Sequence, residues 1–173
     1  MPSAVVILER CSAIPKDRWR SATQSRTWPS LDVRHIFTQL WQQHQAHLPA
    51  TSYLSLALDA DGALPTVTAP NPLAGARRAQ VGVFDIAFVA PDEVEVTLLE
   101  MACRQKLGTP PRATRQIALL RPWQVIRVLL NGRHSSYSGQ TYYLREYHLA
   151  LCTEPLPTAL VALREIDLQA DLA

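Results

Sequence analysis

The chain has 173 residues, of which 47% are hydrophobic and 18% charged. That length fits a single domain, 1–173, with a core large enough to sustain itself. No run of about 20 apolar residues is present, so no helical membrane span and no membrane partner are expected.

The first element is "AVVILER", short, β-branched and then charged, which predicts a buried strand. It lacks a preceding basic region, so a strand fits better than a signal peptide, and a cytoplasmic location follows as the expectation. The polar connection "SAIPKDRWRSATQSRTWPS" comes next, with Trp19 and Trp28 expected to pin it to the body. Over 31–48, "LDVRHIFTQLWQQHQAHL" repeats apolar residues at helical spacing. Ser30 is a suitable N-cap, Asp32 suits the first turn, and Pro49 stops the helix. His35 points away from His44 and His47, and no acid is near, so the three do not make a metal site.

Two strands, 52–58 and 63–68, are expected around the turn "DADG". A second hairpin is expected at 80–89 and 93–103, where Val94, Val96 and Leu98 alternate with Glu93, Glu95 and Thr97. A helix starting at Asp92 competes with that strand. "QIALLRPWQVIRVLL" predicts one or two strands, limited by Pro122. Asn131-Gly132 is a tight-turn signal, and "TYYLREYHLAL" is the clearest late strand. "PTALVALREIDLQADLA" predicts a short C-terminal helix. The sum is an α+β domain: a mostly antiparallel sheet built from hairpins, one long amphipathic helix (31–48) and a short helix at the end.

Cys11, Cys103 and Cys152 are odd in number and form no CxxC, which argues against a disulfide framework and for buried free thiols. Between Met101 and Arg145 there are eight cations and no acid: Arg104, Lys106, Arg112, Arg115, Arg121, Arg127, Arg133 and Arg145. An Arg-rich span interleaved with aromatics suits an anionic partner, because the guanidinium fork matches carboxylate and phosphate. From this comes the leading functional expectation: a small binding or assembly module whose Arg-rich second half takes an anionic protein surface or nucleic acid.

The densest chemistry is "NGRHSSYSGQTYYLREYH", 131–148. Along this strand Tyr142, Leu144, Glu146 and His148 share one face, and Tyr143, Arg145, Tyr147 and Leu149 the other. Glu146 and His148 are one strand step apart, about 7 Å. A carboxylate beside an imidazole, with Arg127, Arg133, His134 or Arg145 in reach of an anion, is a workable acid–base arrangement. The second expectation is therefore an enzyme or sensor for a small carboxylate or phosphate. In it Glu146 and His148 exchange a proton, Arg133 clamps the anion, Tyr142 orients it and Tyr137 adds an aromatic contact. Cross-strand pairing of Glu146 with an Arg would explain the same residues without any ligand. No phosphate-binding loop, nucleophile elbow or dinucleotide fingerprint is present, so no cofactor is implied.

"KLGTPP", "GRHS" and "YYLREYHLAL" together resemble the C-terminal pattern of chorismate lyases, over about a quarter of the chain. The resemblance implies a site role for Glu146 and for Arg133. The Arg-Glu strand motif and the amino-terminal pattern of that family are absent.

Overall fold

The computed structural model describes residues 2–15, 33–58, 71–72, 77–100, 113–136, 139–157 and 162–169. Among the described residues ten strands form two sheets, with one α-helix: β1 (Ala4–Ala13), α1 (Val33–His44), β2 (Ser52–Ala57), β3 (Asn71–Pro72), β4 (Arg78–Val81), β5 (Phe84–Ala90), β6 (Glu93–Glu100), β7 (Ala113–Leu120), β8 (Gln124–Ser136), β9 (Gly139–Cys152) and β10 (Ala162–Gln169). The larger sheet runs β10-β8-β9-β1-β2-β3 and the smaller β4-β5-β6-β7.

The molecule is layered: helix, large sheet, small sheet. Strand β1 shows why. Its apolar run has no polar side, and Ala4 to Leu8 are all buried. Ala4, Val6 and Leu8 pack with Leu54, Leu56, Val125 and Ala150 against Ile36, Phe37, Leu40 and Trp41 of α1. Val5 and Ile7 pack with Ile126, Val128, Tyr147 and Leu149 on the opposite side, against Phe84, Ile86, Val94, Val96 and Leu98 of the small sheet. A strand covered on both faces reads as a continuous hydrophobic run, whereas the small sheet is covered on one face and alternates. In β6 that alternation decides for a strand over a helix: Val94, Val96 and Leu98 are fully buried.

Several elements depart from the expectations. The helix is shorter than 31–48: it spans Val33–His44 and tightens into a 3-10 turn at Gln45–His47, and residues 31–32 lie outside the described part. The C-terminal segment is a strand, not a helix. Strand β10 pairs with β8 in parallel from Ala162↔Gln124 to Gln169↔Asn131. A lone short helix is marginal in water, while the open edge of β8 offers a full row of backbone partners. The large sheet is mixed rather than built from hairpins, since β1 also pairs with β2 in parallel, the chain crossing over through α1 between them.

Asn131-Gly132 is not a turn but the middle of β8, where Gly132 faces Tyr143. A methyl group at Gly132 would lie 2.6 Å from the Tyr143 hydroxyl oxygen. The glycine therefore serves close cross-strand packing. The segment expected as one strand, 80–89, is broken by a turn at Gly82, whose φ is +59°. The second strand expected at 63–68, the "DADG" turn, Trp19, Trp28 and residues 104–112 lie outside the described residues. Cys11 is exposed, contrary to expectation, because β1 runs past the end of the core; Cys152 is buried. Cys103 lies outside the described residues. Among the described residues no helix is long and apolar enough to cross a membrane.

Candidate functional site

Strands β1, β8 and β9 lie side by side in the middle of the large sheet. Their register sets Arg10 opposite Glu146 and both Leu8 and Arg127 opposite His148. Alternation then brings Arg10, Arg127, Glu146 and His148 to the same face, the one that carries α1. Along each strand the apolar residues of that face give way here to charge: Val6 and Leu8 to Arg10, Val125 to Arg127, Ala150 to His148.

Three of the four side chains are buried, and Arg127 is partly so, its side chain 15% exposed. Glu146 is 1% exposed, His148 2% and Arg10 4%. The Arg127 Nε–H donates to Glu146 Oε1 at 2.9 Å. Such a charged pair survives burial only with good geometry and further hydrogen bonds. His148 Nε2 lies 3.7 Å from the same Oε1, too long for a hydrogen bond. Burial, followed by the positive charges of Arg127 and Arg10, pushes the His148 pKa down to about 3. The imidazole is therefore neutral at pH 7, and its approach to Glu146 is a charge–dipole contact and not an ion pair. Two buried atoms at the centre, Glu146 Oε2 and His148 Nδ1, have no hydrogen-bond partner.

The structure brings together Glu146, His148 and Arg127 from the expected residues and adds Arg10. The signal for Arg10 was its place two residues after Leu8 on the inner face of a buried strand; its partner strand was not legible. Arg145 does not join them. It faces the other side, over the Tyr143 ring at 5.0 Å and hydrogen-bonded with Tyr147. There the Tyr147 hydroxyl donates to Glu9 Oε1 at 3.2 Å, and burial raises the Tyr147 pKa. Tyr142 shares the face of Glu146 but is about 13 Å along the strand, where its hydroxyl donates to Gln140 Oε1 at 2.7 Å. Arg133 and His134 occupy β8 opposite Tyr142 and Thr141; their side chains, and Tyr137 altogether, lie outside the described part. No group of His, Cys, Asp and Glu among the described residues could hold a metal.

A cleft of about 500 Å³ opens elsewhere, lined by Pro2, Ser3, Asp92, Pro122, Trp123 and Glu154 among others. It sits where β1 begins and β9 ends, away from the four-residue cluster. Asp92 and Glu154 in its rim are solvated, so it lacks the desolvated charge that the cluster has.

No protein family, no curated protein and no solved structure matches this chain. The likeness to chorismate lyases rests on its motifs alone, and of these "KLGTPP" lies outside the described residues.

Proposed function

We propose that the protein binds a small carboxylate or phosphate compound at the Arg10–Arg127–Glu146–His148 cluster, as an enzyme or sensor of that compound. The observation that carries this reading is the pair of buried, unpartnered atoms, Glu146 Oε2 and His148 Nδ1. Leaving a buried polar atom unsatisfied costs about 1–3 kcal/mol. Two such atoms on neighbouring residues of one strand face are expected where something else completes them. Arg10 and Arg127 supply the positive potential for an anion, and after burial they are the further causes of the depressed His148 pKa. In this reading Glu146 is the group that accepts a proton. His148 holds the ligand by hydrogen bonding, since an imidazole of such low basicity is not protonated to imidazolium at pH 7 and so lacks an acidic proton to give.

The Arg-rich span binding an anionic macromolecule has less in its favour. Arg127 turns inward to Glu146, Arg145 turns to the opposite face, and Arg121 pairs with Glu93 at 3.6 Å. These three cations do not share one exposed face, which gives the polyanion reading no support from them. Calorimetric titration with a panel of small carboxylates and phosphates tests the reading. Binding is expected in the unmodified protein and is expected to weaken at least about tenfold in Arg127→Lys, which keeps the charge and loses the fork. No binding to any member of the panel, or equal binding by Arg127→Lys, would overturn it.

A further inference from the structure

Resting on that reading, we infer that the bound anion carries hydroxyl groups, and that Glu146 Oε2 and His148 Nδ1 each accept a hydrogen bond from one of them. What the two atoms are able to do sets the partners they need. An ionised carboxylate only accepts. A neutral imidazole has one N–H and one bare nitrogen, and its surroundings choose which. His148 Nε2 lies 3.7 Å from Glu146 Oε1. A negative oxygen on that side favours the tautomer with its proton on Nε2. Nδ1 is then the bare nitrogen, an acceptor like Glu146 Oε2, and neither has a partner.

Two acceptors on one face need two donors from the ligand. Ammonium groups would supply them, but burial disfavours any cation here and Arg127 and Arg10 add repulsion, the same causes that hold His148 neutral. Neutral donors remain, and in a small anionic compound the hydroxyl group is the simplest of them. The same arginines attract the anionic end of the molecule. A small hydroxylated acid or polyol phosphate meets both demands; a plain carboxylate or inorganic phosphate meets only the second. Because Glu146 and His148 are almost inaccessible to water, a ligand without hydroxyls leaves both acceptors unsatisfied, and that is the origin of the selectivity.

The test has two arms, both on the unmodified full chain. First, nitrogen-15 NMR of labelled histidine reads the tautomer of His148 directly, its resonance assigned by comparison with His148→Gln. A protonated Nε2 and bare Nδ1 are expected; a protonated Nδ1 overturns the inference. Second, calorimetry compares glycerate with propanoate, and glycerol 3-phosphate with propyl phosphate. The hydroxylated member of at least one pair is expected to bind tighter by about tenfold or more. Equal binding within both pairs overturns the hydroxyl inference and leaves the anion reading standing. No binding by any of the four overturns both.

Discussion

At the scale of single residues, the chemistry of the cluster follows from removing charge from water. Glu146 is held at one oxygen by the Arg127 guanidinium. Glu146→Ala takes the buried carboxylate from a guanidinium that is 15% exposed and should cost about 2–3 kcal/mol of stability in urea unfolding. Glu146→Gln keeps the shape and an acceptor oxygen, so its cost should be clearly smaller. Equal losses for the two would mean that the side-chain volume, not the pair, holds this part of the sheet. His148 gives a pH dependence of defined sign. Its pKa is about 3 when folded against the ordinary 6.5, so between those values the unfolded chain takes up a proton that the folded one refuses. Stability from this residue is complete above about pH 6.5 and is lost as pH falls toward 3, with a slope approaching roughly 1.4 kcal/mol per pH unit. Urea midpoints from pH 7 to pH 4 should fall more steeply for the native protein than for His148→Gln. Parallel curves would show that the imidazole is not buried as described.

At the scale of elements, β8 and β9 are the frame on which the cluster hangs. Their pairing runs unbroken from Val125↔Ala150 to Ser136↔Gly139. Gly132 lets the Tyr143 ring lie across the ladder, and Tyr143 in turn supports Arg145. Gly132→Ala should destabilise the protein by about 1–3 kcal/mol through overpacking. Tyr143→Leu in the same chain should recover part of the loss, as thermal unfolding of the single and double variants would show. If Gly132→Ala costs nothing, the close approach of the two residues is not real. Helix α1 acts differently. It buries Ile36, Phe37, Leu40 and Trp41 on the same sheet face as the cluster, with Trp41 edge-on to Trp123 at 6.1 Å. Its apolar stripe covers the beginning of β1 and the end of β9, and the charged residues begin where that stripe stops.

At the scale of the whole molecule, burial is graded from the centre outward. Strands β1, β8 and β9 have a sheet neighbour on either side and a packed layer on each face, while β3 and β4 are short edges. Amide hydrogen exchange should therefore be slowest at Val5 to Leu8, Ile126 to Leu130 and Leu149 to Leu151, and fastest at the edges. Faster exchange in β9 than in β4 would be incompatible with this layering. What the sequence by itself determined is local. The runs and alternations marked β1, β5, β6 and β9 as strands, the 3.6-residue spacing marked the middle of α1, and strand periodicity put Glu146 and His148 on the same face. Those signals are legible because each depends only on neighbours a few positions away. The tertiary structure decided the rest. The C-terminal segment became a strand because β8 had an open edge to fill, and Gly132 sat inside a strand because Tyr143 needed the space. Arg10 entered the site because β1 chose β9 as its partner. Backbone pairing between strands distant in sequence carries no periodic mark in either strand, so only the assembled sheet shows which buried charges meet.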